Sequence, residues 1–178
     1  MNAVREDIQF EKFEKELDLE EAIALYGNAL LRLCFFYLKD RMLAEDAVQD
    51  TFIKAYKSFF GFRGQSSLKT WLTRIAINVC KDYLKKSKIQ IIDDERALMK
   101  IPCSDTTEFV SEKENVVLEI MKLAPKYKDV ILLYYYQEFT IPEIAKILKM
   151  PTGTVSTRLK RGREKLKEHL KEWYYDEE

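Results

Sequence analysis

Histidine occurs once in the 178 residues, cysteine three times, proline four times and glycine five times. So few glycines and prolines leave little material for the turns of a many-stranded sheet, and the chain reads as helical. Cys34, Cys80 and Cys103 are scattered and odd in number. They suggest neither a disulfide framework nor a metal cluster, but reduced thiols, two in a core and one incidental. The lone His169 falls in a basic helix, and no nucleophile–base motif, phosphate-loop glycines or metal-ligand spacing accompanies it. An enzyme is therefore not expected, and no cofactor or metal is implied. No apolar run is long enough to cross a bilayer, since "ALLRLCFFYL" is cut by Arg32. The N-terminus "MNAVREDIQFEKFEKELDLEE" is acidic, unlike a signal peptide. A cytoplasmic protein without membrane insertion is the expectation.

Net charge is also missing: 30 Lys and Arg balance 30 Asp and Glu. The zero conceals blocks. Residues 1–21 hold three bases against eight acids, and residues 51–88 hold nine bases against the single Asp82. Residues 89–119 reverse to three against eight, and residues 151–171 return to seven against two. Residues 172–178 add four acids and no base. Two basic blocks separated by acid suggest two contacts with one long polyanion. The acidic arm and connector could also shield the basic helices in cis.

What the chain has in abundance is apolar residues at three- and four-residue spacing, the mark of amphipathic helices. One helix is expected from Leu17 to Leu38, with Ile23, Tyr26, Leu30, Leu33 and Tyr37 inward. A second runs from about Leu43 to Phe59, with Leu43, Ala47, Val48, Phe52, Ala55 and Tyr56 on one face. The glycines of "GFRGQSS" end it, and Ser66 or Ser67 caps a third helix from Leu68 to about Lys86. These make a first domain, 22–86, behind an acidic arm, 1–21. Residues 87–107 lack sustained periodicity and read as a linker. The second domain, 108–173, begins with the helix "FVSEKENVVLEIMKL", followed by a helix "PKYKDVILLYYYQEF" with Pro125 in its first turn, and precedes an acidic tail, 174–178. The fold class is all-α: two small helical domains joined by a linker.

Within the second domain, Thr140 and Glu143 of "TIPEIAKIL" form a capping box, with Pro142 in the first turn. A tight turn comes next, then a helix whose stripe Val155, Leu159, Gly162, Leu166 is apolar or small. Its other face carries Thr152, Thr154, Ser156, Thr157, Arg158, Lys160 and Arg161. A short helix, a turn and a cationic, hydroxyl-bearing helix make a helix-turn-helix, whose second helix fits the major groove.

"FTIPEIAKILKMPTGTVSTRLKRGREKLKEHL", with "APKYKDVILLYYYQ" before it, resembles the C-terminal domain of bacterial sigma factors, nearest to the extracytoplasmic-function (ECF) group of the sigma-70 family. "AEDAVQDTFIKAYKSFFGFRGQSSLKTWLTRIAINVCKDYLKK" resembles their N-terminal domain. The resemblance implies a dissociable initiation subunit of core RNA polymerase, held in check by an anti-sigma factor. Its first domain would bind polymerase and open the −10 promoter element, and its second would read the −35 element on promoter DNA. By position, Glu45, Asp46, Gln49, Asp50 and Lys54 would face polymerase. Trp71, Arg74, Asn78, Lys81, Lys85 and Lys86, with the loop aromatics Phe60 and Phe62, would handle the opened −10 strand. Opening a duplex needs cations to hold strands and aromatic or amide groups to receive an unstacked base. Thr152, Thr154, Ser156, Thr157, Arg158, Lys160 and Arg161 would contact the −35 element. Lys149 stands where the family usually has glycine, a position that often needs φ > 0. Ser156 replaces a more usual lysine, and Gly162 a common alanine. The alternative is an autonomous helix-turn-helix regulator, but that would normally need a dimer interface, and no heptad seam is visible.

Overall fold

The computed structural model describes residues 18–86 and 110–175. The described residues are all-α. The first group comprises α1 (Leu19–Leu38), α2 (Arg41–Ser58) and α3 (Leu68–Lys86), with a 3-10 turn at Phe59–Gly61 after α2. The second comprises α4 (Val110–Lys122), α5 (Pro125–Ile131), α6 (Ile141–Leu148) and α7 (Thr152–Tyr175). The expected linker and acidic arm fall largely outside the described residues, as does Cys103.

Short polar side chains set the helix starts. Asp18 accepts from the Glu21 N–H at 2.9 Å, and Asp40 from the Leu43 N–H at 2.8 Å. Ser67, one of the two expected serines, accepts from the Thr70 N–H at 3.1 Å and caps α3. Such caps are each worth about 1 kcal/mol. Pro125 opens α5, where its missing N–H costs no helical bond.

α1, α2 and α3 pack on one another around Leu30, Leu33, Phe52, Leu72, Ala76 and Val79. Burying each large aliphatic side chain contributes about 1.5–3 kcal/mol relative to exposure. Cys34 and Cys80 are both buried here, as expected, and free. Thr51, also buried, donates to the Ala47 carbonyl at 2.6 Å, so its hydroxyl carries no unpaired polar atom into the core. α1 is 20 residues long with mean hydropathy 1.2, long and apolar enough by length and composition to cross a membrane. Its apolar side instead builds this core through Leu30, Leu33, Cys34, Phe36 and Leu38.

Three expectations need correction. Ile23 and Tyr56, read as inward, are exposed. Helix periodicity places them near the apolar stripe, but no neighbouring helix among the described residues covers that edge. The helix beginning at Pro125 does not run evenly to Phe139. After Ile131 it widens into a π-helical turn, Leu132–Tyr136, and the chain leaves it at Gln137. An extra residue per turn rotates the side chains beyond it about the helix axis, and such bulges often mark functional positions.

In the second group α7 is the hub, packed by α4, α5 and α6. Val155 and Leu159 are buried, and Gly162 lies flat against α5. A Cβ on Gly162 would stand 3.0 Å from Ile131 Cγ1 and 3.5 Å from Tyr127 Cβ, so glycine sets how closely the helices cross. Glu119 of α4, largely buried, meets His169 Nδ1 of α7 at 3.2 Å and Lys122 Nζ at 2.8 Å. The two groups also touch each other, chiefly through α3 and α6.

Candidate nucleic-acid interface

The turn between α6 and α7 fixes how the basic helix is presented. Glu143 accepts from the Thr140 N–H at 2.9 Å and from its hydroxyl at 2.7 Å, closing the expected box at the start of α6. Those hydrogen bonds from Thr140 hold the Glu143 carboxyl below its ordinary pKa. α6 ends at Lys149, whose φ of 52° and ψ of 51° are left-handed. Glycine is the usual residue for that cap because it has no Cβ to clash. The Met150 N–H returns to the Ala145 carbonyl at 3.0 Å, and the Pro151 carbonyl accepts from Thr154 and Val155 to start α7.

On α7 the stripe expected from the sequence faces inward. Thr152, Ser156, Thr157, Lys160 and Arg161 are exposed, and Thr154 and Arg158 are half-buried. Two hydroxyls are already engaged: Ser156 donates to the Thr152 carbonyl at 3.1 Å and Thr157 to the Gly153 carbonyl at 2.9 Å. Back-bonded in this way, they keep oxygen lone pairs outward as acceptors while their protons stay on the helix. Arg161 lies by the Tyr127 hydroxyl. Arg163 stacks over Tyr134 and Tyr135, at 5.2 and 5.5 Å from the ring centres.

On the first group, the aromatics form a nest. Trp71 is only 7% exposed, with the Phe62 ring 4.8 Å and the Phe59 ring 6.1 Å away. Phe60, by contrast, is 84% exposed. Phe62, Trp71 and Arg74 line a cavity of about 450 Å³ together with Arg63, Gln65 and, from α6, Lys146. Trp71 is thus both a packed side chain and a wall of that cavity. Arg74 is half-buried, and Asn78, Lys81, Lys85 and Lys86 are exposed further along α3. The structure brings Phe62, Trp71 and Arg74 together and leaves Phe60 and the four later α3 residues outside the cavity.

α2 carries the remaining candidates. Glu45, Asp46, Gln49 and Lys54 are on its outer side, Glu45 and Lys54 each paired with a charge of this chain. Glu45 pairs with Arg41 at 2.9 Å, and Lys54 faces Asp82 of α3 at 3.8 Å. Both pairs are solvent-exposed, worth a few tenths of a kcal/mol at most and open to exchange for a partner's charges. Asp50 differs: it is half-buried and accepts from the Tyr83 hydroxyl at 3.0 Å, tying α2 to α3. Burial first, then that bond to Asp50, pushes Tyr83 up to about 12.

Sequence reasoning missed a second set of polar residues, those at the contact between the groups. Gln137 is 4% exposed, and its side-chain amide donates to the Ala29 carbonyl at 3.0 Å. Its own carbonyl accepts from Lys69 Nζ at 2.6 Å. Lys146 Nζ reaches the Gln65 carbonyl at 3.2 Å. Asp129 of α5 lies beside the Tyr37 hydroxyl of α1, short of well-formed hydrogen-bond geometry. Burial raises the Asp129 carboxyl, and Tyr37, Lys81, Lys128 and Arg158 draw it partly back. The one available signal was a lone amide amid the aromatics of "LLYYYQEF".

Residues 22–89 match the family model for sigma-70 region 2, and residues 113–166 match sigma-70 region 4. The ECF RNA polymerase sigma factor SigW of Bacillus subtilis is 32% identical over 174 residues, covering 85% of this chain and 88% of that protein. The ECF RNA polymerase sigma-E factor of Haemophilus influenzae is 32% identical over 161 residues, covering 83% and 85%. Among solved structures, the sigma factor RpoE in complex with the anti-sigma factor NepR from Bartonella quintana shares the fold. Its TM-score is 0.69 at 24% identity, over 86% of this chain and 97% of that one. CnrH in complex with the cytosolic domain of CnrY gives 0.66 at 23%, over 86% and 87%. Both sigma-70 regions are present in order, each with its own packed core and its own basic face, and full-length relatives carry the ECF name. The chain belongs to the ECF group of the sigma-70 family and is an RNA polymerase sigma factor.

Proposed function

We propose that region 2 performs promoter opening with the cavity beside Trp71, and that this is where an unstacked base of the −10 element is received. The observation that carries this is the cavity's make-up. An aromatic wall of Phe62 and Trp71 is flanked by the guanidinium groups of Arg63 and Arg74. Aromatic faces stack on any base, and arginine neutralises the adjoining phosphate. Asn78, Lys81, Lys85 and Lys86 continue the track along α3, and exposed Phe60 offers a second stacking surface. Glu45, Asp46, Gln49 and Lys54 make the polymerase-docking face of α2. Asp50 supports that face through Tyr83. Thr152, Thr154, Ser156, Thr157, Arg158, Lys160 and Arg161 place the start of α7 in the major groove at the −35 element.

This assigns 22–86 to polymerase and the −10 element, and 108–173 to the −35 element. The chain acts in the cytoplasm, without catalytic chemistry of its own. An anti-sigma factor is the proposed antagonist, since NepR, the named partner of one structural relative, is an anti-sigma factor.

Run-off transcription with added core polymerase over a pool of promoter fragments tests the assignment. Arg74→Ala should abolish opening on duplex templates and be rescued by templates already mismatched at the −10 element. Arg158→Ala should cost about 1–3 kcal/mol of discrimination if it reads a base, or weaken all sequences alike if it holds a phosphate. Wild-type transcription by both variants from every template would remove these residues from the promoter interface.

A further inference from the structure

We propose that the cavity beside Trp71 is also a binding site for a free nucleoside polyphosphate, an aromatic base joined to a chain of phosphates. The cavity is the one assigned to the −10 base, but the proposal does not rest on that assignment, since a free ligand needs neither polymerase nor DNA. Three cations converge there on one aromatic wall. Arg63 and Arg74 come from region 2, and Lys146 comes from α6 of region 4. No carboxylate lines the cavity. Neither arginine pairs with an acid among the described residues. Lys146 is held at the rim by its bond to the Gln65 carbonyl at 3.2 Å. Glu143 bears on Lys146 from the same helix, but the Thr140 N–H and hydroxyl already engage its carboxylate. Three positive groups gathered without a counter-charge repel one another, and a polyanion between them reverses the sign of that interaction.

The charges distinguish this ligand from a base of the promoter strand. A strand brings one negative charge per phosphate, spaced along its backbone. The two arginines of region 2 suffice for the phosphates beside one base. Lys146 lies outside the α3 track, on the helix before the −35 helix. A third cation at the same cavity is matched by a ligand that carries several phosphates at one end. Guanidinium forks bind phosphate oxygens in pairs, and an ammonium binds them as a point charge. The aromatic wall suits the other end. Phe62 is half-buried, and its ring is held by Trp71 at 4.8 Å and Phe59 at 6.0 Å. A ring fixed in this way stacks on a base without first having to be ordered. The Gln65 side chain adds an amide donor and acceptor for the polar edge of the base or the ribose. At about 450 Å³ the cavity falls within the range of small-molecule sites, roughly 300–1,000 Å³.

The test is calorimetric titration of ATP into the full-length chain, without polymerase or DNA, at one ionic strength. ATP should bind more tightly than AMP. Adenosine and inorganic triphosphate, which each offer one end of the ligand, should bind at least about tenfold more weakly than ATP. Arg63→Ala and Lys146→Ala change exposed side chains, and each should weaken ATP about tenfold, as loss of a charged hydrogen bond does. Phe62→Leu should weaken ATP and leave inorganic triphosphate unchanged. Lys167→Ala removes an equal charge from an exposed site on α7 outside the cavity and should leave ATP binding as it was. Circular dichroism checks that each variant keeps its helices. No saturable binding of ATP, a loss on Lys167→Ala equal to that of the two cavity variants, or inorganic triphosphate bound as tightly as ATP would each overturn the proposal. Run-off transcription tests the −10 assignment and nucleotide binding tests this one, so either can fail alone.

Discussion

Lys149 is the residue of the helix-turn-helix whose backbone conflicts most plainly with its side chain, and replacing it by glycine should stabilise the protein. At φ 52° the Cβ crowds the following carbonyl. That conformation costs an L-residue about 1–2 kcal/mol. Glycine removes the crowding but loses more freedom on folding, which takes back about 0.4–1 kcal/mol. The net expectation is a gain of about 0.5–1 kcal/mol. Nothing else of structural weight changes. The side chain is exposed, and the two cap bonds, from the Lys149 and Met150 N–H groups to the Ala145 carbonyl, are backbone bonds. At ~2–4 °C per kcal/mol for a chain of this size, the melting temperature should rise by about 1–4 °C. Lys149→Ala is the control, because it removes the same charge while keeping the Cβ. Urea unfolding of the wild type and both variants at one ionic strength would separate backbone strain from electrostatics. Equal stability of the Gly and Ala variants would refute a left-handed residue 149.

Two further outcomes rest on packing and burial. Gly162→Val should destabilise by about 2 kcal/mol, because its Cβ already meets Ile131 Cγ1 at 3.0 Å and two further methyls must displace α5; urea midpoints read it directly. Asp129→Asn should raise stability at pH 7 and not in acid. Burial raises the folded-state pKa of Asp129, so the native chain holds that proton more tightly than the unfolded one. The resulting stability is full below the ordinary carboxylate pKa of about 3.9 and is lost as pH rises through the folded value. The neutral amide escapes that loss, so its advantage over the wild type should grow from acid to neutral pH in paired urea titrations; a constant difference would refute the burial argument.

Helix positions and both regions were legible because their signals are local. Ser67, the Thr140–Glu143 pair and Pro125 mark helix starts whatever the rest of the chain does. Lys149 announced a strained turn by being a non-glycine in a glycine position, and the structure gives it the left-handed backbone. Periodicity failed at Ile23 and Tyr56 because an apolar stripe shows which side of a helix is apolar, not how far the neighbouring helices extend over it. The π turn at Leu132–Tyr136 was hidden for a related reason, since one added residue per turn in a uniformly apolar run leaves no polar marker to shift. The seam between the regions was the least legible part. Its bonds join residues 68, 81 and 108 positions apart, made by ordinary lysines, an amide and backbone carbonyls.

Those bonds bear on why a chain with two basic faces carries no net charge. The acid blocks at 1–21 and 89–119 suggest shielding by diffuse attraction, and most of those residues lie outside the described ones. Such exposed pairs are weak and are screened within ~8 Å at physiological salt. The seam is of another kind. Gln137 is buried, its partners are carbonyl and ammonium groups at hydrogen-bond distance, and Phe36 and Tyr136 add an apolar contact. Short, partly buried contacts of this sort lose little to added salt. Shielding by the acid blocks would fade as salt rises, so deleting residues 1–16 should raise duplex affinity at low salt alone. The seam would persist, so the contact between the two regions should survive at both salt concentrations, which small-angle scattering of the full chain would read as an unchanged radius of gyration. A radius that grows with salt would show instead that the acid blocks hold the two regions together and that the seam is only a by-product of that attraction.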